Sequence, residues 1–399
     1  GHGEGEVFVG SDAMALAPMT DRITYLEEGD WACLTRSAIE IRDQDNRLVN
    51  RPIKTVNIDL AQVEKGGHRH FMAKEIAEQP SVLADAIEHY VSGDDILLPE
   101  AIPDFADVDR IVMVACGTAY LACATAKYWM EGLAGIPVEV DIASEFRYRE
   151  PPIGQKTLAI FVSQSGETAD TLAALRHVAE KAQILSVVNV GESSIARESD
   201  VALPILAGAE IGVASTKAFT CQLLVLLLLA LRAAGDRDRL NADARAEALT
   251  AIKMLPGRLN QALEASKAIK AVARKLAEAR DILFLGRGQM YPLALEGALK
   301  LKEISYIHAE GYAAGELKHG PIALVDRSVP VIVLAPNDRL FDKTVSNMQE
   351  VMARGGQIVL VTNRAGATEA SDGAMAVIEM PDVPDILAPI LYAVPAQLI

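Results

Sequence analysis

The sequence contains few cysteines and an excess of acidic over basic residues. Its four cysteines are Cys33, Cys116, Cys123 and Cys221, and no two of them have the CxxC spacing of a disulfide or zinc framework. This favours a reducing, cytoplasmic environment. The 38 lysines and arginines face 54 aspartates and glutamates, which gives a formal net charge of −16. That charge argues against non-specific nucleic-acid binding, because such binding needs a basic surface.

Long hydrophobic runs are also missing. The longest uncharged apolar run, 218–231, is shorter than the about 18–20 residues that a membrane span needs, so we expect a buried core helix there. No signal peptide opens the chain, and its first residue is Gly1 rather than Met. The last residues, Leu398 and Ile399, lie in an apolar helical pattern without a stop signal. We therefore expect a chain that is shortened at both ends.

The first part of the chain has β character. The segments 6–10, 22–26 and 33–42 are rich in β-formers and separated by turn signals. They are too few to close a core alone, so residues 1–56 are interpreted as the end of a larger domain. Residues 57–82 are polar and then helical, with the helix expected to end at Gln79 and Pro80, which indicates an interdomain linker.

The rest of the chain repeats strand–turn–helix units. Near-continuous apolar strands separated by amphipathic helices predict a parallel sheet covered on both faces, with strands at 109–115, 157–162 and 184–189. Residues 111–117 match the residues 171 positions later, and 143–147 match 314–318 at the same offset. We predict an α/β protein with two doubly wound domains, 83–240 and 241–399.

Glycine and hydroxyl residues follow the predicted strands, where ligands of such sheets bind. Ser163, Ser165, Thr168 and the start of the next helix form a possible anion cradle, which is not a Walker loop because no Gly-Lys-Ser/Thr follows. The alternative is that Ser165 or Thr168 simply caps the helix. Two further turns, 116–118 and 210–217, favour a phosphosugar site. The turn at 286–288 is too short to be a dinucleotide fingerprint.

One predicted helix carries closely spaced ionisable residues. Glu296, Lys300 and Glu303 fall on one helical face. The alternative to a functional role is an ordinary solvated Glu–Lys stripe. Neighbouring apolar residues indicate instead a largely buried helix, namely Leu299, Leu301, Ile304 and Ile307. A buried carboxylate has a raised pKa and suits proton removal from carbon beside a carbonyl.

The histidines are less informative. His319 lies in a loop rich in Gly and Lys, where a general acid–base is plausible, although a lone loop histidine is usually inert. His68 and His70 have a His-x-His spacing but no carboxylate or cysteine beside them. We therefore assign no metal site.

Several motifs together resemble one family. The motifs 163–171 (SQSGETADT), 210–218 (EIGVASTKA), 298–306 (ALKLKEISY), 316–321 (ELKHGP) and the linker 69–80 are similar to those of glutamine–fructose-6-phosphate aminotransferases. The resemblance covers essentially the whole chain. It implies two sugar-isomerase (SIS) domains, 83–240 and 241–399, a linker at 57–82, and an N-terminal glutaminase of which residues 1–56 are the last strands.

The resemblance also implies roles for individual residues, and it implies no cofactor. Glu303 resembles the base that moves a proton between C1 and C2, Lys300 its polar partner, and His319 the ring-opening residue contributed across a homodimer interface. The residues that resemble the phosphate ligands of fructose 6-phosphate are Ser163, Gln164, Ser165 and Thr168. Those that resemble further sugar-phosphate contacts are Cys116, Gly117, Thr118, Val213 and Ser215.

The chain departs from the family pattern in three respects. Ala119 stands where the family has a serine, so one phosphate hydroxyl is lost. The glutaminase cysteine and the C-terminal lysine that forms a Schiff base are absent, so we expect sugar-phosphate binding and partial isomerisation without the full reaction to glucosamine 6-phosphate.

Two other functions stay open. A phosphosugar-binding regulator is disfavoured by the acidic charge and the lack of a helix-turn-helix, and a simple phosphosugar isomerase would not need the β segment and linker.

Overall fold

The computed structural model describes residues 1–10, 13–16, 19–36, 38–56 and 64–399. These residues form two compact units, Gly1–Phe71 and Met72–Ile399. The division falls inside the predicted linker, of which residues 57–63 lie outside the described part of the chain.

The first unit contains a short helix and two small antiparallel sheets. Helix α1 spans Ala13–Leu16; the strands are β1 (Arg22–Thr24), β2 (Trp31–Leu34), β3 (Ile39–Arg42), β4 (Leu48–Val49) and β5 (Ile53–Thr55). Strand β1 pairs with β5, and β3 lies between β2 and β4. Among the described residues of this unit, the buried apolar side chains are those of Leu16, Ile23 and Ile41.

Two of the three segments predicted to have β character differ from a single strand. The segment 33–42 has the predicted β character but forms a hairpin, because the Thr35 N–H donates to the Ala38 carbonyl and the chain reverses between β2 and β3. The segment 6–10 forms only an isolated bridge between His2 and Val7. The Gly3 N–H donates to the Glu6 carbonyl and closes a tight turn, and the Phe8 N–H donates back to the Gly1 carbonyl.

The second unit contains most of helix α2 (Phe71–Tyr90), which continues through Pro80 instead of ending there. A proline in a helix removes one backbone donor and leaves the carbonyl four residues earlier without its partner. That carbonyl belongs to Ile76, and the side-chain amide of Gln79 donates to it at 3.0 Å. The neighbouring glutamine thus replaces the missing backbone hydrogen bond.

Two five-stranded parallel sheets form the centre of this unit, and they confirm the predicted α/β repeat. After the hairpin β6 (Val91–Ser92) and β7 (Asp95–Ile96), the first sheet has the order β12-β11-β10-β8-β9 and the second has the order β14-β13-β15-β16-β17. The two orders are the same when β8 is matched with β13. The first sheet contains β8 (Arg110–Ala115), β9 (Val138–Ile142), β10 (Thr157–Ser163), β11 (Gln183–Val188) and β12 (Val201–Pro204). The second contains β13 (Asp281–Gly286), β14 (His308–Ala313), β15 (Pro330–Leu334), β16 (Gln357–Asn363) and β17 (Ala376–Met380).

Helices cover the sheets on both faces. They are α3 (Gly117–Trp129), α4 (Ala143–Arg149), α5 (Ala169–Val178), α6 (Ser194–Glu198), α7 (Lys217–Asp236), α8 (Ala242–Glu264), α9 (Ser266–Leu276), α10 (Met290–Ser305), α11 (Phe341–Ala353), α12 (Arg364–Ala370) and α13 (Ala388–Leu398). Among the described residues, α7 alone has the length and apolarity to cross a membrane, and 89% of its apolar stretch is buried. It is the predicted core helix, extended at both ends.

The largest apolar core is shared by the two repeats. It contains Met113 and Ile160 from the first sheet, Phe284 from the second, and the apolar faces of α7 and α13. Smaller clusters cover the opposite face of each sheet. This shared core brings elements of the two repeats together at the carboxyl ends of the first sheet's strands.

Candidate active site

The turn after strand β10 gathers three hydroxyl groups. Ser163 Oγ accepts a hydrogen bond from the Gly166 N–H at 3.0 Å and lies 2.9 Å from Thr168 Oγ1, while Ser165 Oγ accepts one from the Glu167 N–H at 3.1 Å. Thr168 is the N-cap residue of α5, but its side chain makes no capping bond. The alternative that the Thr168 side chain caps the helix is therefore wrong, and the start of α5 suits an anion.

The shape of this turn requires a glycine at position 166. Gly166 has φ +67°, and a Cβ there would lie 1.9 Å from Ser193 Oγ. A side chain at this position would be strained by the backbone conformation and would also displace Ser193. The cradle is thus built around the close approach of the Ser193 side chain to the backbone at position 166.

The turn after the neighbouring strand β8 connects the first repeat to the second. Cys116 and Gly117 lead into α3. In the first turn of that helix, Thr118 Oγ1 accepts a hydrogen bond from Lys300 Nζ at 2.8 Å and lies 3.3 Å from Glu296 Oε1. Because Lys300 and Glu296 belong to α10, one threonine hydroxyl joins the two copies of the fold at this point.

A third turn, 210–216, precedes α7. The Ser215 hydroxyl donates to Glu210 Oε2 at 2.9 Å, and Glu210 Oε1 accepts the N–H groups of Thr216 and Ala218 at 2.8 and 3.1 Å. Glu210 therefore provides the N-terminal cap of α7. Burial raises the pKa of Glu210, although these hydrogen bonds act in the opposite direction. Between these contacts, Val213 is 97% exposed.

Helix α10 contributes an ammonium group between two carboxylates. Lys300 Nζ lies 2.9 Å from Glu303 Oε2 and 3.4 Å from Glu296 Oε1. Lys300 and Glu296 are buried, whereas the side chain of Glu303 is 33% exposed. Burial raises the pKa of Glu296 to about 7. The prediction of a largely buried helix is wrong for its last turn, where Ile304 is 52% exposed, because the helix leaves the shared core there.

These side chains meet in one cavity of about 230 Å³. It is lined by Cys116, Thr118, Ala119, Val162, Ser163, Gln164, Ser165, Thr168, Val213, Ser215 and Gln222 from the first repeat, and by Lys300 and Glu303 from the second. Two of the predicted site residues do not line it. Gly117 lies in the backbone turn between two lining residues, and His319 is exposed at the end of a 3-10 helix, Ala314–His319.

Comparison with known proteins assigns this architecture to a family. The family model described as the SIS domain matches residues 104–232 and 275–399, which include both parallel sheets. The chain belongs to the SIS-domain family.

Relatives of this SIS-domain chain narrow the assignment. A glutamine–fructose-6-phosphate aminotransferase (isomerising) from Brucella abortus is 56% identical over 402 aligned positions, covering 100% of this chain and 66% of the relative. The solved C-terminal domain of the corresponding Francisella tularensis protein is 43% identical with a TM-score of 0.81, covering 84% of this chain and 96% of that one. A solved Thermotoga maritima glucosamine-6-phosphate deaminase is 25% identical with a TM-score of 0.66, covering 82% and 92%.

These comparisons confirm the resemblance inferred from the motifs. Within the SIS-domain family, the chain belongs with the glutamine–fructose-6-phosphate aminotransferases. It spans 66% of the length of the curated relative from Brucella abortus.

A larger cavity of about 960 Å³ elsewhere in this unit contains none of the predicted site residues. Its ionisable lining is almost entirely acidic, with Arg258 facing Asp94, Asp243, Glu247, Asp382 and Asp385. Such a lining repels a phosphate group, so size alone does not make it the better candidate. The described residues also contain no cluster of three or more His, Cys, Asp or Glu side chains that could hold a metal ion.

Sequence reasoning missed Gln222 and the complete burial of Glu296. Gln222 lines the cavity, is 1% exposed, and has no partner for its Oε1 atom among the described residues. An amide within an otherwise apolar stretch was the only sequence signal. Glu296 was noticed as part of a charged face, but its complete burial beside Lys300 and Thr118 follows from the packing of α10 against α3.

Proposed function

We propose that this chain is the isomerase part of a glutamine–fructose-6-phosphate aminotransferase and that its cavity binds fructose 6-phosphate. The phosphate is held by Gln164 and the hydroxyls of Ser163, Ser165 and Thr168, and the sugar contacts Thr118, Val213 and Ser215. The observation that carries the proposal is the shared cavity, in which a hydroxyl cradle at a helix start faces Lys300 and Glu303. Cys116 lines the same cavity, and Gly117 shapes the turn that leads from Cys116 into α3.

The proposed chemistry is a proton transfer between C1 and C2 of the open-chain sugar. Glu303 removes a proton from C1, and the electron pair of that C–H bond forms the C1=C2 double bond of an enediol while the π electrons of the C2 carbonyl move to O2, which takes up a proton. The proton held by Glu303 then returns to C2 as the C1 hydroxyl loses its proton and becomes the aldehyde carbonyl, which gives the aldose. Lys300 is a suitable partner because its ammonium group, 2.9 Å from Glu303 Oε2, stabilises negative charge that develops on the sugar oxygens.

Opening of the sugar ring is assigned to His319 of a second copy of the chain. In this chain His319 is exposed and does not line the cavity, which agrees with a role in another subunit's site. A histidine suits the step because its charge changes near neutral pH. The proposal therefore includes a homodimer.

The domain organisation is part of the same proposal. Residues 1–56 are the last strands of a glutaminase domain, 57–82 the linker, and 83–240 and 241–399 the two SIS domains. In the longer protein, ammonia from glutamine reacts with fructose 6-phosphate, and the product is glucosamine 6-phosphate. Such biosynthesis takes place in the cytoplasm. Neither a metal nor an organic cofactor has a step in this scheme.

The test follows the C1 proton of fructose 6-phosphate in deuterated water by NMR. We expect the wild-type chain to exchange this proton and Glu303→Gln to exchange it at least about 100-fold more slowly, because a general base contributes that much. Thermal protection by fructose 6-phosphate should remain. Glu278→Gln, which changes an exposed acid outside the cavity, is the matched control.

Each result decides between the proposed functions. Unchanged exchange in Glu303→Gln would remove Glu303 from its role. Binding without exchange in the wild type would favour a phosphosugar-binding regulator. A wild-type chain that neither binds nor exchanges would overturn the assignment of the cavity.

A further inference from the structure

Helix α2, which carries the linker motif, contacts the turn that precedes α7. Glu75 is 2% exposed, and its Oε1 atom accepts the backbone N–H groups of Ile211 and Gly212 at 2.6 and 2.9 Å. A buried carboxylate that accepts two backbone hydrogen bonds fixes the position of both amides. Helix α2 lies outside the strand–turn–helix unit to which this loop belongs. It therefore holds from outside that unit the loop that carries Val213 and Ser215.

The contact also explains the glycine at position 212. A Cβ on Gly212 would lie 2.5 Å from Glu75 Oε2, which is closer than real Cβ contacts allow. Any side chain here would push the carboxylate away from the two amides. The loop and the helix thus fit each other only with a glycine at this point.

A second contact ties the other end of the loop to the same helix. Lys217, the first residue of α7, is 2% exposed, and its Nζ donates to Glu78 Oε2 at 2.8 Å. The other Glu78 oxygen lies 3.3 Å from Lys74 Nζ. Since Glu75 and Glu78 are about one helical turn apart, α2 contacts the loop at its start and at its end.

The loop residues between these contacts reach the cavity. Glu210 orients the Ser215 hydroxyl at 2.9 Å from within the loop, and Glu75 holds the amides of Ile211 and Gly212. Val213 and Ser215 line the cavity, whereas Glu75 does not. Glu75 therefore acts on the site only through the backbone that it holds.

We infer that Glu75 is a positioning residue that holds the loop 210–217 in the shape that contacts the sugar. This inference rests on the proposed function, since it assumes that Val213 and Ser215 contact fructose 6-phosphate. On this inference, α2 helps to bind the sugar but has no role in binding the phosphate, which contacts the separate turn 163–168. The linker motif is then part of the sugar site's support.

The test compares fructose 6-phosphate with inorganic phosphate as ligands of the full 399-residue chain by calorimetry. We expect Glu75→Ala to weaken fructose 6-phosphate binding about tenfold, the effect of losing hydrogen bonds worth about 1.4 kcal/mol. Binding of inorganic phosphate should change less than about twofold. Glu75→Gln keeps an oxygen that can accept both N–H groups and should restore most of the affinity. Glu88→Ala, an exposed acid on the same helix, is the matched control.

A second experiment measures the amide hydrogen exchange of the loop in the absence of any ligand. Amide hydrogen exchange of residues 211–216 should rise in Glu75→Ala and in Gly212→Ala while the sheets stay protected. A general loss of stability would weaken both ligands and raise exchange everywhere, which would contradict a positioning role. Unchanged sugar affinity with unchanged loop exchange would overturn the inference. A wild-type chain that binds neither ligand would overturn the proposed function instead, and the loop exchange would still test the contact.

Discussion

Glu296 shows how one buried carboxylate links the site to the stability of the fold. Its side chain is fully buried, and one of its oxygens, Oε2, has no partner among the described residues. Burial raises its pKa from 4.5 to about 7. A carboxyl group that binds its proton more tightly in the folded state stabilises that state at low pH. The contribution is complete below pH 4.5 and is lost as the pH rises through 7.

Replacing this residue should therefore change the pH dependence of stability. Between pH 4.5 and 7, the unfolding free energy of the wild type should lose up to about 1.4 kcal/mol per pH unit relative to Glu296→Gln. Urea unfolding at a series of pH values measures the difference. Glu278→Gln, at an exposed position, should follow the wild type. Parallel curves for wild type and Glu296→Gln would contradict the raised pKa.

Much of the site's residue content could be predicted from the sequence. The hydroxyls at 163, 165 and 168 follow directly after an apolar strand, so their place at the sheet's carboxyl edge follows from the fold class. Gln222 and Glu75 could not be found in this way. Gln222 lines the cavity and Glu75 holds the loop 210–217, and no local sequence pattern records either contact.

Among the elements, α2 illustrates how a side chain can override a strong helix-ending signal. Pro80 lies in the middle of the helix, where a proline normally costs about 3 kcal/mol. Gln79 offsets part of this cost by donating to the Ile76 carbonyl, the group that the proline leaves without a backbone partner. Both side chains are buried, so water cannot replace the bond.

This pairing predicts a non-additive effect on stability. Gln79→Ala should lower the unfolding free energy by about 1–3 kcal/mol, because it leaves a buried carbonyl without a donor. In a Pro80→Ala background the same change should cost less, since the alanine restores a backbone N–H that can donate to the Ile76 carbonyl. Denaturant unfolding of the single and double variants gives the coupling energy. Equal costs in both backgrounds would show that the Gln79 amide does not replace the backbone bond.

Elements with continuous apolar strands were predictable, and elements set by side-chain contacts were not. The repeat at 171 positions predicted that β13 corresponds to β8, because parallel strands buried on both faces require an apolar run. The continuation of α2 depends on one glutamine amide, and the hairpin at 33–42 depends on a turn inside a β-rich segment. Composition and hydrophobic periodicity do not predict these individual hydrogen bonds.

At the scale of the whole molecule, the two repeats have the same topology but different turns. The first repeat has Ser163, Ser165 and Thr168 after β10, whereas the corresponding turn after β15, residues 335–340 (APNDRL), has no hydroxyl side chain. Its two charged residues, Asp338 and Arg339, have opposite signs, so the turn offers a phosphate neither hydroxyl donors nor a net positive charge. The second sheet therefore lacks the hydroxyl cradle at the position that corresponds to residues 163–168.

This asymmetry predicts one fructose 6-phosphate per chain. Isothermal titration should give a stoichiometry near one. Gly166→Ala should abolish the binding of fructose 6-phosphate, because the new side chain would collide with Ser193. Gly257→Ala is the control, because a Cβ at position 257 meets open space, and this variant should bind fructose 6-phosphate normally. Two equivalent sites per chain would contradict the assignment of the cradle to the first repeat alone.

The division of the cavity between two copies of one fold bears on how such a chain arose. The hydroxyls come from the first copy, and the ammonium–carboxylate pair of Lys300 and Glu303 comes from the second. An ancestral single copy would have needed a second molecule of itself to complete the same cavity. Joining the copies in one polypeptide makes that association permanent, so each copy is free to lose the half that its neighbour supplies.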